Sequence, residues 1–256
     1  MFVISDNANK SLKTVAKIHE GKFDGKTVSY INNDNDDDTI YKCFTDMTLP
    51  SGKFQPCPDT SHERDILYMA GPSGSGKSTL VCQYLNNYLK EFPKNPIYVF
   101  SKLTEDPSLD KIKGIKRIKI DDRLISQPID CEDLANSVVI FDDTDCIKNK
   151  GHKDALNSLK NSILETGRHT RTSCLITSHL ACKGNETRSI LNEAHQIYFF
   201  IGSGMPINYL LQNYMGLEKK QISELKKDNT RWHGFIRGYP QMVLTETTLR
   251  FLKDIC

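Results

Sequence analysis

From residue 64 onward, short apolar runs alternate with stretches in which apolar residues recur every three or four positions. Ile66–Ala70 is one such run, closed by a glycine- and serine-rich loop. Residues 79–89 follow, with Leu80, Tyr84, Leu85 and Tyr88 at helical spacing. Residues 96–101, 137–142, Ser173–Ser178 and 196–201 are further short apolar runs. They lack alternation, as core strands of a parallel sheet do when both faces are covered. Residues 115–120 interleave isoleucine with lysine and arginine, which predicts a half-exposed edge strand. A helix is predicted over 153–166, carrying Leu156, Leu159, Ile163 and Leu164, and a helical pair over 207–215 and 218–227. Residues 232–237 and 241–246 flank Gly238-Tyr239-Pro240 and predict a closing hairpin. Strands alternating with helices make an α/β fold, a mostly parallel sheet flanked by helices.

Residues 1–60 read differently, as a small N-terminal appendage, with the α/β domain over 61–256. The run Asn32-Asn33-Asp34-Asn35-Asp36-Asp37-Asp38 holds no apolar residue and reads as a solvated acidic loop. It lacks the central glycine and terminal glutamate of an EF-hand calcium loop. Residues 27–31 and 39–44 flank it as strand-like pieces, so a hairpin with an acidic tip is expected. Residues 50–60, with Gly52 and three prolines, read as a linker.

Composition narrows the class. The chain has 256 residues, 38% hydrophobic and 26% charged, which excludes collagenous, mucin-like and wholly disordered proteins. No stretch approaches the roughly 20 apolar residues of a membrane span. The first ten residues lack a basic-then-apolar leader, so a protein that is not secreted is expected. Net charge is +2, with −3 over residues 1–65 and +5 over the rest, well short of the excess of a nucleic-acid coat protein. Eight cysteines form no C-x-x-C pair and the histidines no paired spacing, which favours reduced thiols over a zinc site.

The chemistry concentrates in Gly71-Pro72-Ser73-Gly74-Ser75-Gly76-Lys77-Ser78, a complete G-x-x-x-x-G-K-[ST] phosphate loop between an apolar strand and a helix. Glycines let successive backbone N–H groups turn inward, and the helix N-terminus adds its positive dipole end. Residues 71–79, ending at Thr79, are the candidate nucleotide contacts. Lys77 is expected on the β- and γ-phosphates and the Ser78 hydroxyl on Mg²⁺. The site is thus expected to take a nucleoside triphosphate with magnesium.

Val138-Val139-Ile140-Phe141-Asp142-Asp143 is an apolar strand closed by two acids. Asp142 is the candidate for the Mg²⁺ shell. Asp143, at the strand tip, can polarise an attacking water, with Asp145 a nearby substitute and capping of the next turn the structural alternative. The run Ser173–Ser178 ends beside His179, and its polar tip should lie between the phosphate loop and the acidic strand. Thr177, Ser178 and His179 are all candidates to sense the γ-phosphate; alternation does not choose among them. Arg168 and Arg171 precede that strand, away from the chain's own phosphates. Either could serve a neighbouring subunit's nucleotide as a finger, Arg168 more readily, or simply favour a helix C-terminus. Lys148, Lys150, His152 and Lys153 form a basic cluster after the acids, suited to DNA phosphates or to a solvated helix start.

The order of phosphate loop, Val138-to-Asp143 strand, Gly167-Arg168-His169 and the strand ending at His179 resembles the DNA-packaging ATPases of nucleocytoplasmic large DNA viruses and virophages, within the FtsK–HerA group. The resemblance spans roughly residues 64–202. It implies a RecA-like sheet and an ATP-hydrolysing, ring-forming motor that moves double-stranded DNA into a capsid, with a capsid or vertex protein as partner. It places such a protein in the host cytoplasm, a viral factory or the virion. It also implies Lys77, Ser78 and Asp142 as nucleotide and metal positions and Asp143 as the catalytic acid, so that Lys77, Asp143 and, as a candidate finger, Arg168 are the expected catalytic residues. The wider group often has glutamine where Ser178-His179 stands here, and glutamate where Asp143 stands.

Two other functions share the loop. A small-molecule kinase of the guanylate-kinase type fits Gly71–Ser78 but not the doubled acid, and no arginine-rich lid is evident. A non-catalytic NTP-dependent assembly switch would not need the full set of lysine, serine and two acids.

Overall fold

A computed structural model describes residues 1–31, 46–182, 184–200 and 205–255. The chain opens with β1 (Phe2–Ser5), β2 (Lys13–His19), β3 (Thr27–Tyr30), β4 (Asp46–Thr48) and β5 (Lys53–Gln55). Then come β6 (Ile66–Ala70), α1 (Lys77–Glu91), β7 (Ile97–Ser101), β8 (Ile115–Ile118), α2 (Arg123–Ser126), β9 (Val138–Asp142), α3 (Lys150–Thr170) and β10 (Ser173–Ser178). It continues through α4 (Asn185–Glu193), β11 (Gln196–Phe200), α5 (Met205–Asn213), α6 (Lys219–Leu225), β12 (Trp232–Ile236), β13 (Met242–Leu244) and β14 (Thr248–Phe251).

The larger sheet runs β4-β14-β13-β12-β11-β6-β10-β9-β7-β8. From β11 to β8 its strands are parallel, and from β12 to β4 antiparallel. This is the α/β architecture expected. The Ile/Lys/Arg strand β8 lies at the edge, and β10 lies between β6 and β9.

Strand alternation sorts the core into two layers. Ile66, Tyr68, Phe141 and Ile176 pack with Leu156, Ile163 and Leu191 of α3 and α4. Leu67, Met69, Ile140 and Leu175 pack with Leu80, Tyr84 and Leu85 of α1. Each such side chain, fully buried, contributes about 1.5–3 kcal/mol by leaving water.

The second layer does not stop at α1. Phe2, Val15, Ile18, Val28 and Phe54 join the same cluster, so the N-terminal sheet, ordered β1-β3-β2-β5, packs onto the larger one. Both edges of β3 are taken, by β1 and β2, and the strand-like 39–44 expected beside it lies outside the described residues. Residues 32–45, including the acidic run, lie outside the described residues. Residues 50–60 are not a bare linker. They carry β5, paired with β2, and bury Phe54, Cys57 and Asp59. Prolines 56 and 58 follow the paired strand and so do not interrupt its ladder.

At the other end the expected hairpin is present as β12 and β13, and β14 extends it to a three-stranded meander. The helix after the acidic strand is longer than its apolar face suggests. It starts at Lys150, capped by Asn149 Oδ1 accepting from the His152 amide at 3.2 Å, and absorbs Gly167-Arg168-His169 into its last turn. Among the described residues no helix is long and apolar enough to cross a membrane. Of the described cysteines, Cys57, Cys131 and Cys174 are buried thiols, whereas Cys146 is exposed.

Candidate nucleotide site

The loop after β6 is held at both ends. The Gly71 amide donates to Ser178 O at 3.0 Å, and the Ser75 amide to Pro72 O at 3.2 Å. Gly76 takes φ +110°, a conformation glycine adopts without strain, and delivers the chain into α1. A Cβ on Gly71 would stand 2.8 Å from both the Phe200 ring and Ser75 Oγ, so the loop approaches the sheet as only glycine allows. Ser75 Oγ is buried without a hydrogen-bond partner among the described residues. Pro72, Ser73, Gly74 and Thr79 are exposed, and Ser78 is half-buried.

Lys77 is only 7% exposed, yet its ammonium is well supplied with acceptors. It donates to Gly71 O at 2.9 Å and Pro72 O at 3.4 Å, and lies 3.9 Å from Asp143 Oδ1. Its Nζ is also 3.5 Å from His179 Nδ1. The other imidazole nitrogen of His179 stands 3.1 Å from Asp143 Oδ2. Lys77, Asp143 and His179 therefore form one polar cluster at the ends of β9 and β10.

Asp142 is buried beneath them. Ser101 Oγ donates to its Oδ2 at 3.0 Å and Thr177 Oγ1 to its Oδ1 at 2.9 Å. The Asp143 amide donates to the same Thr177 hydroxyl at 2.9 Å. Asp143 sits at φ +46°, a left-handed conformation that costs a non-glycine residue roughly 1 kcal/mol or more. Its carboxyl is pushed above the ordinary carboxylate range, first by burial, with Asp142 adding to the rise and Lys77 and His179 opposing it. Ser178 points elsewhere, donating to Asp145 Oδ2 at 3.2 Å, so Asp145 is tied to Ser178.

The donor set bears on which cation the site could hold. Among the described residues no group of three His, Cys, Asp or Glu side chains could hold a metal alone. Magnesium, however, is ordinarily bound by one or two carboxylates, waters and substrate phosphates, and the residues here fit that mode. Ser78 Oγ opens the helix, and Asp142 ends the strand two places away. A third group, not legible in the sequence, joins them. Asp106, buried in the loop after β7, brings Oδ2 to 3.4 Å from Ser78 Oγ while its Oδ1 accepts from the Ser108 and Leu109 amides.

Arg168 is not brought to this cluster. It lies in the last turn of α3, before β10 begins, and the phosphate loop lies where β10 ends. The six residues of β10 separate them by about 20 Å. Its side chain is 76% exposed, with Glu63 at 3.5 Å. Arg171 closes α3 in the left-handed conformation. Lys148 and His152 of the basic cluster line a groove of about 460 Å³ at the loop end of the sheet, where Lys102, Arg117 and Lys119 join them. Lys150 and Lys153 occupy the first turn of α3 beside it.

No protein-family model matches the chain. It is 42% identical over 251 residues to uncharacterized protein V3 of Sputnik virophage, covering 96% of this chain and 98% of V3. The chain belongs to the V3 family. The kinship with virophage proteins expected from the motifs is thus met. The V3-family chain also shares its fold with the pCW3 conjugation coupling protein TcpA, solved with ATPγS. The TM-score is 0.52 at 14% identity, over 94% of this chain and 78% of TcpA. A further similarity is to genome packaging NTPase B204 of Sulfolobus turreted icosahedral virus 2. Its TM-score is 0.47 at 15% identity, over 73% of this chain and 99% of B204. The fold of this chain is that of P-loop NTPases.

Proposed function

We propose that the protein hydrolyses ATP and harnesses the reaction to move double-stranded DNA, as a ring of like subunits packaging a genome into a capsid. The observation that carries this reading is the cluster of Lys77, Asp142 and Asp143 around the glycine loop. Lys77 neutralises charge on the β- and γ-phosphates. Asp143, held in a left-handed turn and facing the same space, accepts the proton of the attacking water. Its position 3.1 Å from His179 supports His179, with Thr177, as the groups that respond to the γ-phosphate; Ser178 is engaged with Asp145 instead. Mg²⁺, when bound with ATP, would shield the phosphate charge, with Ser78 and Asp142 as its protein shell. Arg168 stands too far from its own chain's phosphates to act there, which is the placement a finger acting on a neighbour requires.

The DNA reading draws on charge placement. Cations in the first turn of a helix oppose its dipole, and α3 has none of the acids usual there. Lys150, beside a groove carrying Lys102, Lys119 and Lys148, would instead meet a polyanion, while His152 is held by Asp122 at 2.8 Å. Such contacts fall on phosphates and are independent of base sequence.

The test is ATP turnover with and without linear duplex DNA. Turnover stimulated by DNA and abolished in Lys77→Ala is expected. Transfer of phosphate to a nucleoside monophosphate would instead mark a kinase, and binding without turnover a switch.

A further inference from the structure

β12 runs antiparallel to β11, with Trp232 opposite Phe200, so β12 begins at the end of the parallel strands where the phosphate loop lies. Arg231 immediately precedes it. Its Nη2 stands 3.6 Å from the position a Cβ on Gly76 would occupy, beside the Phe200 ring. Gly76 opens α1, where backbone N–H groups point at phosphate. The sheet order makes the placement symmetrical. β9, bearing Asp142 and Asp143, lies two strands from β6 on one side, and β12 lies two strands from it on the other. At about 4.8 Å per strand, each flank is roughly 10 Å from the loop's own strand.

The turn that carries Arg231 is braced. The Arg231 amide donates to Glu246 Oε2 at 3.0 Å, and Glu246 also pairs with Lys53 at 3.3 Å. Thr230 Oγ1 donates to Trp232 O at 3.0 Å, and Asp228 holds His233 at 3.0 Å and also pairs with Arg250. Arg64, Arg117, Arg123, Arg237 and Arg250 are each engaged with a carboxylate or with backbone carbonyls. The guanidinium of Arg231 has no such partner among the described residues and remains exposed.

We propose that Arg231 binds the α- and β-phosphates of the nucleotide held by its own chain's loop. This assignment rests on the nucleotide reading above and adds a residue to it. The reacting end of the triphosphate is defined by Lys77, Asp143 and His179 on the β9 and β10 side. An arginine on the β11 and β12 side meets the other end. Its planar fork suits two phosphate oxygens, and a lysine's single point charge would serve less well.

Calorimetric titration of the whole chain with ADP and with ATPγS, each with magnesium, tests this. Both carry α- and β-phosphates, so Arg231→Ala should weaken both by a similar factor, about tenfold, equivalent to about 1.4 kcal/mol. Arg231→Lys should fall between the variant and the native protein. Unchanged affinity in Arg231→Ala overturns the assignment, and so does a loss confined to ATPγS, which would put the arginine on the γ-phosphate. Should Arg231→Ala melt markedly lower than the native protein, the Lys variant decides by the same criteria. Lys77→Ala serves as the separate control. If it too leaves both affinities unchanged, the nucleotide site itself is misplaced, a failure distinct from that of Arg231.

Discussion

The hydroxyl of Thr177 stands 2.9 Å from Asp142 Oδ1 and donates its single proton there. It is then left as an acceptor for the Asp143 amide, also at 2.9 Å. One side chain from β10 thus fixes both acids at the end of β9. Thr177→Val keeps the shape and removes the bridge. It should lower stability by about 1–3 kcal/mol, because a buried carboxylate loses a donor and a buried amide its acceptor. Thr177→Ser should restore most of it. Denaturant unfolding of the two variants checks this, and ATP turnover should fall with Val and survive with Ser.

Burial raises the Asp143 carboxyl above its ordinary range. If Asp143 is the base, turnover falls as pH drops through that raised value, so the acid limb lies above the roughly 4 of a free aspartate. The neighbouring His179 draws the carboxyl down. Removing it in His179→Ala lets the carboxyl rise further, and the acid limb should move to higher pH. A pH profile of kcat in both proteins measures this; an unmoved limb would take Asp143 out of the base role.

Arg168 allows a mixing experiment. Arg168→Ala alone should cost about 10³-fold or more in turnover, the scale of an arginine finger, while leaving ATP bound. Lys77→Ala subunits have no working loop but keep Arg168. Mixed with Arg168→Ala subunits, they should return part of the activity. No recovery across mixing ratios would place Arg168 outside the neighbour's site.

Lys102, Lys119 and Lys148 share the basic groove. Changing all three to glutamine should weaken duplex binding and flatten its salt dependence. The slope of log K against log salt should fall by about 0.9 for each DNA phosphate that is no longer neutralised. Fluorescence anisotropy over a salt series gives the slope, and weakening should be alike for unrelated sequences.

Gly167 lies where α3 passes Arg64. A Cβ there would come within 2.8 Å of Arg64 Nη1 and 3.2 Å of Thr172 O. Arg64 donates to the carbonyls of Ile163 and, at 2.8 Å, Leu164, so it cannot move aside without losing them. Gly167→Ala should therefore destabilise by about 1–3 kcal/mol despite alanine's better helix propensity. A lowered melting temperature is the expected reading.

Much of this was visible in the residues. The core strands from β6 to β11 are unbroken apolar runs because helices cover both their faces, and such runs stand out. The phosphate loop and the Asp142-Asp143 pair are contiguous motifs. What escaped had its cause elsewhere in the chain. β4 and β5 have three residues each and pair with strands distant in sequence, β4 with β14 and β5 with β2. Asp106 and Arg231 sit in ordinary-looking loops and reach the site only because the strand order brings those loops together. The Gly167-Arg168-His169 turn is helical because the Arg64 contacts and the left-handed Arg171 close the helix later than its apolar face ends.

β4 hydrogen-bonds to β14, and Phe2 stacks on Phe251 with ring centres 4.6 Å apart. Phe2 and Met47 are thus covered in part by residues some two hundred positions later, contacts of a sequence separation whose loop-closure cost slows folding. A chain halted before Thr248 would leave those faces of Phe2 and Met47 uncovered, an invitation to chaperones and proteases that the arrival of β14 withdraws.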